Sequence, residues 1–219
     1  MKFQYKSHRL GFDLSESNSQ LSKLWNELKD VIESITDEEI SEEFLNSNRH
    51  AKSISEAINK ILDRKLVSKG WNRQSRIFKD PEYQIGNTWT LDFSKSSMNA
   101  SGEVTGMAIE VVFNHREAIA WNLIKPTLAA EKNHVPKEDN IGSGVGIYIC
   151  ATKKLKELGG FDNAVGEYET VLKYLDPLND LIHTPLVIIG LEPPETFYIS
   201  HYKDPKNPKK TLGEIRKFN

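Results

Sequence analysis

Three short runs of apolar residues constrain the fold of this chain more than any other feature of its sequence. They cover residues 104–113, 145–151 and 186–191, and each has the length of a β-strand, far short of a membrane span. Patterns typical of helices lie between them. Because strands that are apolar throughout need cover on both faces, the order predicts an α/β (α+β) fold with a central mixed β-sheet flanked by helices.

The first third of the chain predicts helices. Leu21, Leu24 and Leu28 recur at three- and four-residue spacing in an amphipathic helix. A second helix is predicted to begin at a capping box formed by Ser53 and Glu56. No linker interrupts the 219 residues, so we expect a single domain, 1–219. Its parts are a helical region at about 19–70, a sheet core at about 75–193 and a basic C-terminal tail at about 200–219, in which residues 204–208 are expected to be irregular.

The charge of the chain is nearly balanced but unevenly distributed. The 29 Lys and Arg residues oppose 31 Asp and Glu residues, and this net charge of -2 does not by itself favour a nucleic-acid partner. Residues 16–43 are acidic, whereas 49–79 and 203–217 are basic, and such local fields attract a polyanion. The alternative is that these charged helix faces are simply solvated. The N-terminus lacks the apolar segment of a secretory signal, so we expect a cytoplasmic protein without membrane contact.

The residues with the most chemical content are two acids on successive predicted strands. Asp92 lies in one strand, and Glu110 interrupts the apolar run of the next, where a carboxylate is costly to bury unless it is paired or binds a metal. If the strands form a hairpin, both carboxylates can converge on one Mg²⁺, which takes oxygen ligands and assists phosphodiester hydrolysis. The alternative is that Glu110 pairs with a lysine or arginine of a helix. Cys150 is the only cysteine, which excludes a Cys-rich zinc site.

These acids belong to a longer, collinear pattern. Asp92-Phe93 is followed by the strand Ile-Glu-Val-Val-Phe-Asn at 109–114 and then by a predicted helix. The pattern continues on both sides, in Asn59, Leu66 and Lys69-Gly70-Trp71 before it and in 144–147, 154–158 and 184–190 after it. From about residue 24 to about residue 193, the chain resembles the PD-(D/E)XK nucleases. Among them it is most similar to the BglII/BstYI-like type II restriction endonucleases, relatives of BamHI.

The resemblance implies a restriction-endonuclease-like fold and an activity. Asp92 and Glu110 would bind Mg²⁺ together with the main-chain carbonyl of Val111. Asn59 would orient water or a ligand near the site, or else have a buried helix-capping role. The enzyme would be a homodimer that hydrolyses phosphodiester bonds of double-stranded DNA at a short palindromic site. A cognate DNA methyltransferase would act on the same site, with no physical contact implied.

One position departs from the pattern of these enzymes. Two residues after the glutamate they carry Gln, Glu or Lys, whereas this chain carries Val112, which neither binds metal nor acts as a base. Residues 110 and 112 of a strand point to the same side. The missing group would come from Asn114, Lys95, His115 or Glu117, or else the metal and the substrate phosphate alone would activate the water. The departure keeps open a non-catalytic sequence-specific DNA-binding protein. A further alternative is a structure-specific repair nuclease of the same fold.

Residues expected to contact DNA follow the second acidic strand. The resemblance places base and backbone contacts at Asn114, His115 and Arg116, which open the next predicted helix. Arginine can bind guanine, asparagine can bind adenine, and a helix N-terminus attracts phosphate. An ordinary solvated helix start is the alternative. Lysines at four further positions are expected to contact phosphates or the DNA nearby: Lys95, Lys125, Lys132 and Lys137.

Met98 is a further candidate for DNA contact. It lies in the small, polar segment 94–102 that joins the strands of Asp92 and Glu110. Proteins that approach the minor groove often insert an apolar wedge between base steps. The alternative is that Met98 folds back onto its own hairpin.

Overall fold

The computed structural model describes residues 1–46, 51–131, 135–139 and 141–218 of the chain. Within these ranges, six strands form one sheet and two more form a separate hairpin. The strands are β1 (Phe3–His8), β2 (Asn72–Arg76), β3 (Thr90–Met98), β4 (Val104–Val112), β5 (Ser143–Ala151), β6 (Leu186–Leu191), β7 (Phe197–Asp204) and β8 (Asn207–Lys217). The helices are α1 (Gly11–Ser17), α2 (Ser19–Glu33), α3 (Asp37–Leu45), α4 (Ser55–Ser68), α5 (Ile119–Ala130), α6 (Lys153–Leu158) and α7 (Tyr168–Leu175).

The sheet confirms the predicted mixed architecture. Its strand order is β1-β6-β5-β4-β3-β2, with β4, β5 and β6 parallel and the other pairs antiparallel. The three parallel strands contain the three apolar runs of the sequence. β3 and β4 form the hairpin that is needed for Asp92 and Glu110 to converge.

Strand β5 shows how two layers of helices cover the sheet. Val145, Ile147 and Ile149 join the core formed with α2 and α4, whereas Tyr148 and Cys150 join the core formed with α5 and α7. This alternation is the two-residue period of a strand buried on both faces. Because Glu110 pairs in register with Tyr148, the β4 strand places Glu110 on the α5 side of the sheet.

The start of α4 differs from the prediction. The capping box expected from Ser53 and Glu56 is wrong, since α4 begins at Ser55 and no side chain caps it. The buried Ile54 fixes the start instead, because its main-chain amide donates to the Gly159 carbonyl at 3.1 Å. No helix in the described ranges is both long and apolar enough to cross a membrane.

The C-terminal tail also differs from the prediction. Residues 204–208, expected to be irregular, lie at the tip of the antiparallel hairpin of β7 and β8, where only Pro205 and Lys206 lie outside the strands. Phe197, Ile199 and Leu212 are buried, and this apolar pattern outweighs the turn formed around Pro205. The lysines of the tail remain exposed on the hairpin, as expected for its basic character: Lys203, Lys206, Lys209, Lys210 and Lys217.

Candidate active site

The two predicted acids lie where β3 and β4 separate. The main-chain pairing of these strands runs from Met98 with Val104 to Phe93 with Ile109 and ends there. One step further the register sets Asp92 opposite Glu110. At that point the Asp92 carboxylate replaces a main-chain partner, because its Oδ2 accepts the amide of Val111 at 2.8 Å. Main-chain pairing of β3 with β4 is therefore replaced by a side-chain hydrogen bond at this point.

The neighbouring strand β2 is irregular at the same level. Gln74 has φ 48°, in the left-handed region that few residues other than glycine adopt. It lies between the pairs of Arg73 with Phe93 and Ser75 with Leu91, and thus beside Asp92. A cleft of about 190 Å³ lies here and is lined by residues that include Asn59, Asp92 and Val111. The structure thus brings Asn59 of α4 to Asp92 and Val111.

Sequence reasoning did not single out Asp63 and Arg73, which line the same cleft. Their side chains form an ion pair at 3.0 Å between α4 and β2. A signal was available, because Asn59 and Asp63 are four residues apart and share one face of α4. Arg73 gave no such signal, since its place beside the cleft depends on the pairing of β2 with β3.

Glu110 is buried, with 3% of its surface exposed, and its two oxygens have different surroundings. Oε2 accepts from the Lys125 ammonium at 2.7 Å, and the same ammonium donates to the main-chain carbonyl of Thr90 at 3.2 Å. Oε1 is buried without a hydrogen-bond partner among the described residues. The alternative predicted from the sequence, in which a helix lysine pairs with Glu110, is therefore confirmed for one of the two carboxylate oxygens, Oε2.

Both carboxylates of the site resist ionisation. Burial and the nearby charge of Asp92 raise the pKa of Glu110 to about 8, although Lys125 and the main-chain amide of Asp92 oppose them. Burial also raises the pKa of Asp92, against the opposing effects of the Val111 amide and Lys125. Two carboxylates held close together in a buried place are costly, and a bound cation removes that cost.

The donor set fits a hard divalent cation. It offers two carboxylates, an unpartnered oxygen at Glu110 and the main chain of Val111, and Mg²⁺ typically takes one or two carboxylates together with water and phosphate oxygens. Groups of three or more His, Cys, Asp or Glu side chains that could hold a metal do not occur among the described residues. The arrangement can therefore take a cation that completes its shell with water and substrate.

A comparison of the chain with known protein families identifies the family to which it belongs. The family model for restriction endonuclease BglII/BglIII matches residues 3–191, which include every residue of the site described above. The chain belongs to the BglII/BglIII restriction endonuclease family. It is thus a member of a family of site-specific deoxyribonucleases. No curated protein sequence matches it significantly.

Solved structures agree with this family. The chain is similar to restriction endonuclease BglII complexed with a DNA 16-mer, with a TM-score of 0.63 and 18% identity over 99% of this chain and 91% of that chain. It is also similar to free BglII, with a TM-score of 0.52 and 14% identity over the full length of both chains. This likeness confirms the restriction-endonuclease-like fold.

Val112, at which the chain departs from the pattern of these enzymes, has apolar surroundings in the structure. Val112 is buried and packs in the cluster that includes Ile119 and Leu123 of α5. A polar group at this position would lie among these side chains, so valine is consistent with its surroundings. The structure therefore does not restore the missing polar residue at position 112.

None of the four predicted substitutes for that residue contacts Asp92 or Glu110. The Lys95 ammonium is held on the other face of the sheet by Glu27 and by the Lys69 carbonyl, each at 2.6 Å. Asn114 is exposed, and its Oδ1 accepts from Asn122 at 3.3 Å. His115 and Glu117 are exposed too. The roles of Lys95, Asn114, His115 and Glu117 stay predictions.

Lys125 is the cation that the structure does bring to the site. Sequence reasoning expected it at a DNA phosphate, together with Lys137, whose ammonium instead donates to the Ala129 carbonyl at 2.9 Å; Lys132 lies outside the described residues. The available signal for Lys125 was its place in the apolar helix α5, where a charged side chain needs a partner.

The segment predicted to contact DNA forms an exposed turn at the end of β4. Asn114, His115 and Arg116 are exposed, and a short 3-10 turn at Arg116–Ala118 precedes α5. The Arg116 amide donates to the Ala164 carbonyl and its guanidinium to the Asn163 carbonyl, both at 2.9 Å. These side chains are thus presented to solvent from a braced main chain.

Met98 lies at the opposite end of the strand from the acids. It ends β3, pairs with Val104 and is 66% exposed. Met98 lies six positions along the strand from Asp92, which corresponds to about 20 Å. The structure thus places Met98 away from the carboxylates, and its contact with DNA stays a prediction.

Proposed function

We propose that the protein is a Mg²⁺-dependent type II restriction endonuclease that hydrolyses both strands of double-stranded DNA at a short palindromic site. The observation that carries this proposal is the convergence of Asp92 and Glu110 where β3 and β4 separate, with Oε1 of Glu110 lacking a hydrogen-bond partner in the described part of the chain. Membership in the BglII/BglIII family supports the same reaction.

The side chains of the site have distinct tasks in this proposal. Asp92, Glu110 and the Val111 carbonyl hold the cation, and Asn59 orients water or a ligand in the shared cleft. Bound Mg²⁺ polarises the scissile phosphate and lowers the pKa of water. The amide of Val111 keeps the Asp92 carboxylate in place through a 2.8 Å hydrogen bond. Cleavage leaves a 5′-phosphate and a 3′-hydroxyl.

DNA reading is assigned to the exposed turn after β4. Asn114 and Arg116 have the donor and acceptor groups that pair with adenine and guanine edges, and His115 lies between them. Their main chain is fixed by the 163–166 segment, which limits the entropy lost on binding. The similar BglII structure that contains DNA supports a nucleic-acid partner for this fold.

The assembly and cellular setting follow from a palindromic target. A two-fold dimer matches the symmetry of such a site, so each subunit reads one half-site and cuts one strand. Helix α5, with α7 beside it, is the proposed dimer surface. We place the enzyme in the cytoplasm, where a cognate methyltransferase protects host DNA at the same sequence.

A plasmid digest tests the proposal. Purified protein with Mg²⁺ should give discrete fragments, and sequencing their ends should give one palindromic site. EDTA should stop the reaction. Gel shifts without cleavage would establish a DNA-binding protein instead, and preferred cutting of branched DNA would establish a repair nuclease.

A further inference from the structure

Lys125 enters the site from the helix layer and not from the sheet. Its side chain is 13% exposed and that of Glu110 is 4% exposed. The desolvation cost of such a buried pair is offset only when geometry is good and the remaining hydrogen-bonding positions are satisfied. Oε1 of Glu110 has no partner among the described residues. Stability alone therefore does not account for the pair.

The Lys125 ammonium links α5 to both acidic strands. It donates to Oε2 of Glu110 on β4 and to the carbonyl of Thr90 on β3, two residues before Asp92. These two acceptors fix the ammonium, and the ammonium in turn fixes the orientation of the Glu110 carboxylate. Oε2 of Glu110 is thereby occupied, while Oε1 is left available.

We propose that Lys125 is a positioning residue that holds Glu110 by Oε2 and leaves Oε1 for the divalent cation, so that α5 supplies the polar group that Val112 lacks. This inference rests on the proposed metal-dependent nuclease function. Changes to groups that orient a metal ligand typically lower metal affinity about 10–100-fold.

The sign of the effect separates positioning from simple electrostatics. Lys125 is a positive charge beside the cation site. At a pH at which Glu110 is ionised in both proteins, its removal should by Coulomb repulsion alone tighten metal binding. As a positioning residue, its removal should weaken metal binding, because Glu110 loses its fixed orientation. Metal affinity is thus a better measure of this role than cleavage.

The structure contains a matched control pair. Lys156 and Glu167 are also joined at 2.7 Å, with side chains 12% and 16% exposed. K156M therefore removes a lysine of comparable burial and pairing outside the carboxylate site. Lys125→Arg keeps a charged donor at the site and serves as the conservative variant.

The experiment is a calorimetric titration of the full chain with Mn²⁺ alone, without DNA. We expect K125M to bind Mn²⁺ about tenfold or more weakly, K125R to retain most of the affinity, and K156M to match the wild type. K125Q, whose shorter side chain also loses the contact, replaces K125M if that variant does not fold.

Binding by the neutral Lys125 variant that is as tight as wild type or tighter would overturn the inference. So would a K156M loss equal to that of K125M. If wild type binds Mn²⁺ and cleaves DNA while K125M binds normally, this inference alone fails. If wild type neither binds Mn²⁺ nor cleaves DNA, the proposed function fails with it.

Discussion

Two lysine–glutamate pairs of the molecule have the same length and different surroundings. Lys125 with Glu110 and Lys156 with Glu167 are each joined at 2.7 Å and largely shielded from solvent. The first lies where the acidic strands diverge. The second holds the segment after α6, since Lys156 also donates to the Val165 carbonyl at 2.8 Å.

The carboxylates of the two pairs differ in how fully they are satisfied. The second oxygen of Glu167 accepts from the Thr170 hydroxyl at 2.7 Å. Burial raises the pKa of Glu167, but the hydrogen bonds from Lys156 and Thr170 outweigh burial and lower it overall. In Glu110 burial prevails and raises the pKa to about 8. The Lys156–Glu167 pair, in which both carboxylate oxygens accept hydrogen bonds, is thus structural. Glu110 retains one oxygen for a ligand.

The largest expected difference between the pairs is in catalysis. Glu110→Gln removes a proposed metal ligand, so cleavage should fall by more than about 100-fold, because changes to groups behind a ligand already cost about 10–100-fold. Glu167→Gln should leave metal-dependent catalysis largely intact. Single-turnover plasmid cleavage, with protein concentrations corrected for folded fraction, measures both rates.

Equal losses of cleavage in the two variants would contradict the proposed difference between the two pairs. If Glu167→Gln reduced cleavage as much as Glu110→Gln did, the unsatisfied carboxylate would have no special place in the reaction. Full cleavage by Glu110→Gln would show that the site is elsewhere.

The second comparison concerns DNA binding in the absence of cleavage. Arg116 belongs to the exposed turn, and its main chain is held by the segment that Lys156 contacts. Arg116→Ala should therefore weaken binding to the cognate site about tenfold or more. Its Mn²⁺ affinity should not change, since Arg116 contacts neither Asp92 nor Glu110. Gel shifts in EDTA measure the first quantity and calorimetry the second. An unchanged DNA affinity would remove Arg116 from the recognition surface.

The third comparison is the pH dependence of stability in metal-free protein. Glu110 keeps its proton up to about pH 8 when folded, whereas the ordinary value of a glutamate is 4.5. Between these values the folded state binds more protons, so the contribution of Glu110 to stability falls as pH rises. Glu167 has the opposite sign: its lowered pKa contributes stability above about pH 4.5, which is lost as pH falls.

Thermal melting in EDTA between pH 5 and 8 tests the sign for Glu110. The loss of stability towards pH 8 should be smaller in Glu110→Gln than in wild type. Each kcal/mol corresponds to about 2–4 °C in a protein of this size. The same slope in both proteins would contradict the assigned environment of Glu110.

The smallest expected effect is that of Lys156→Met on stability. It leaves a mostly buried carboxylate with one hydrogen bond fewer, which costs about 1–3 kcal/mol. The melting temperature should fall by a few degrees while Mn²⁺ affinity is unchanged. A melting temperature equal to that of wild type would show that this pair, too, is no stabilising contact.

Much of the frame of the site follows from the sequence. The apolar runs 104–113, 145–151 and 186–191 predict the three parallel strands, because a strand buried on both faces has little choice of composition. Glu110 stands out in such a run for the same reason. Asp92 lies on the preceding strand of the chain, so its position near Glu110 in the hairpin could be predicted. The apolar side chain of Val112 indicates that its surroundings are apolar.

The remaining features depend on contacts between distant parts of the chain. Lys125 reaches Glu110 because of the way α5 packs on β4, and residue spacing does not reveal that packing. The kink at Gln74 depends on pairing with β3. The β7–β8 hairpin was missed because its prolines suggested an irregular tail, although Phe197 and Ile199 have the two-residue period of a strand.

The location of the cation is tested most directly by diffraction from crystals soaked in Mn²⁺. We expect one anomalous peak between the Asp92 carboxylate and Oε1 of Glu110, about 2 Å from each oxygen. Lys125 should still donate to Oε2 of Glu110. A peak at any other side chains, or a metal bound through Oε2 with Lys125 displaced, would contradict the account.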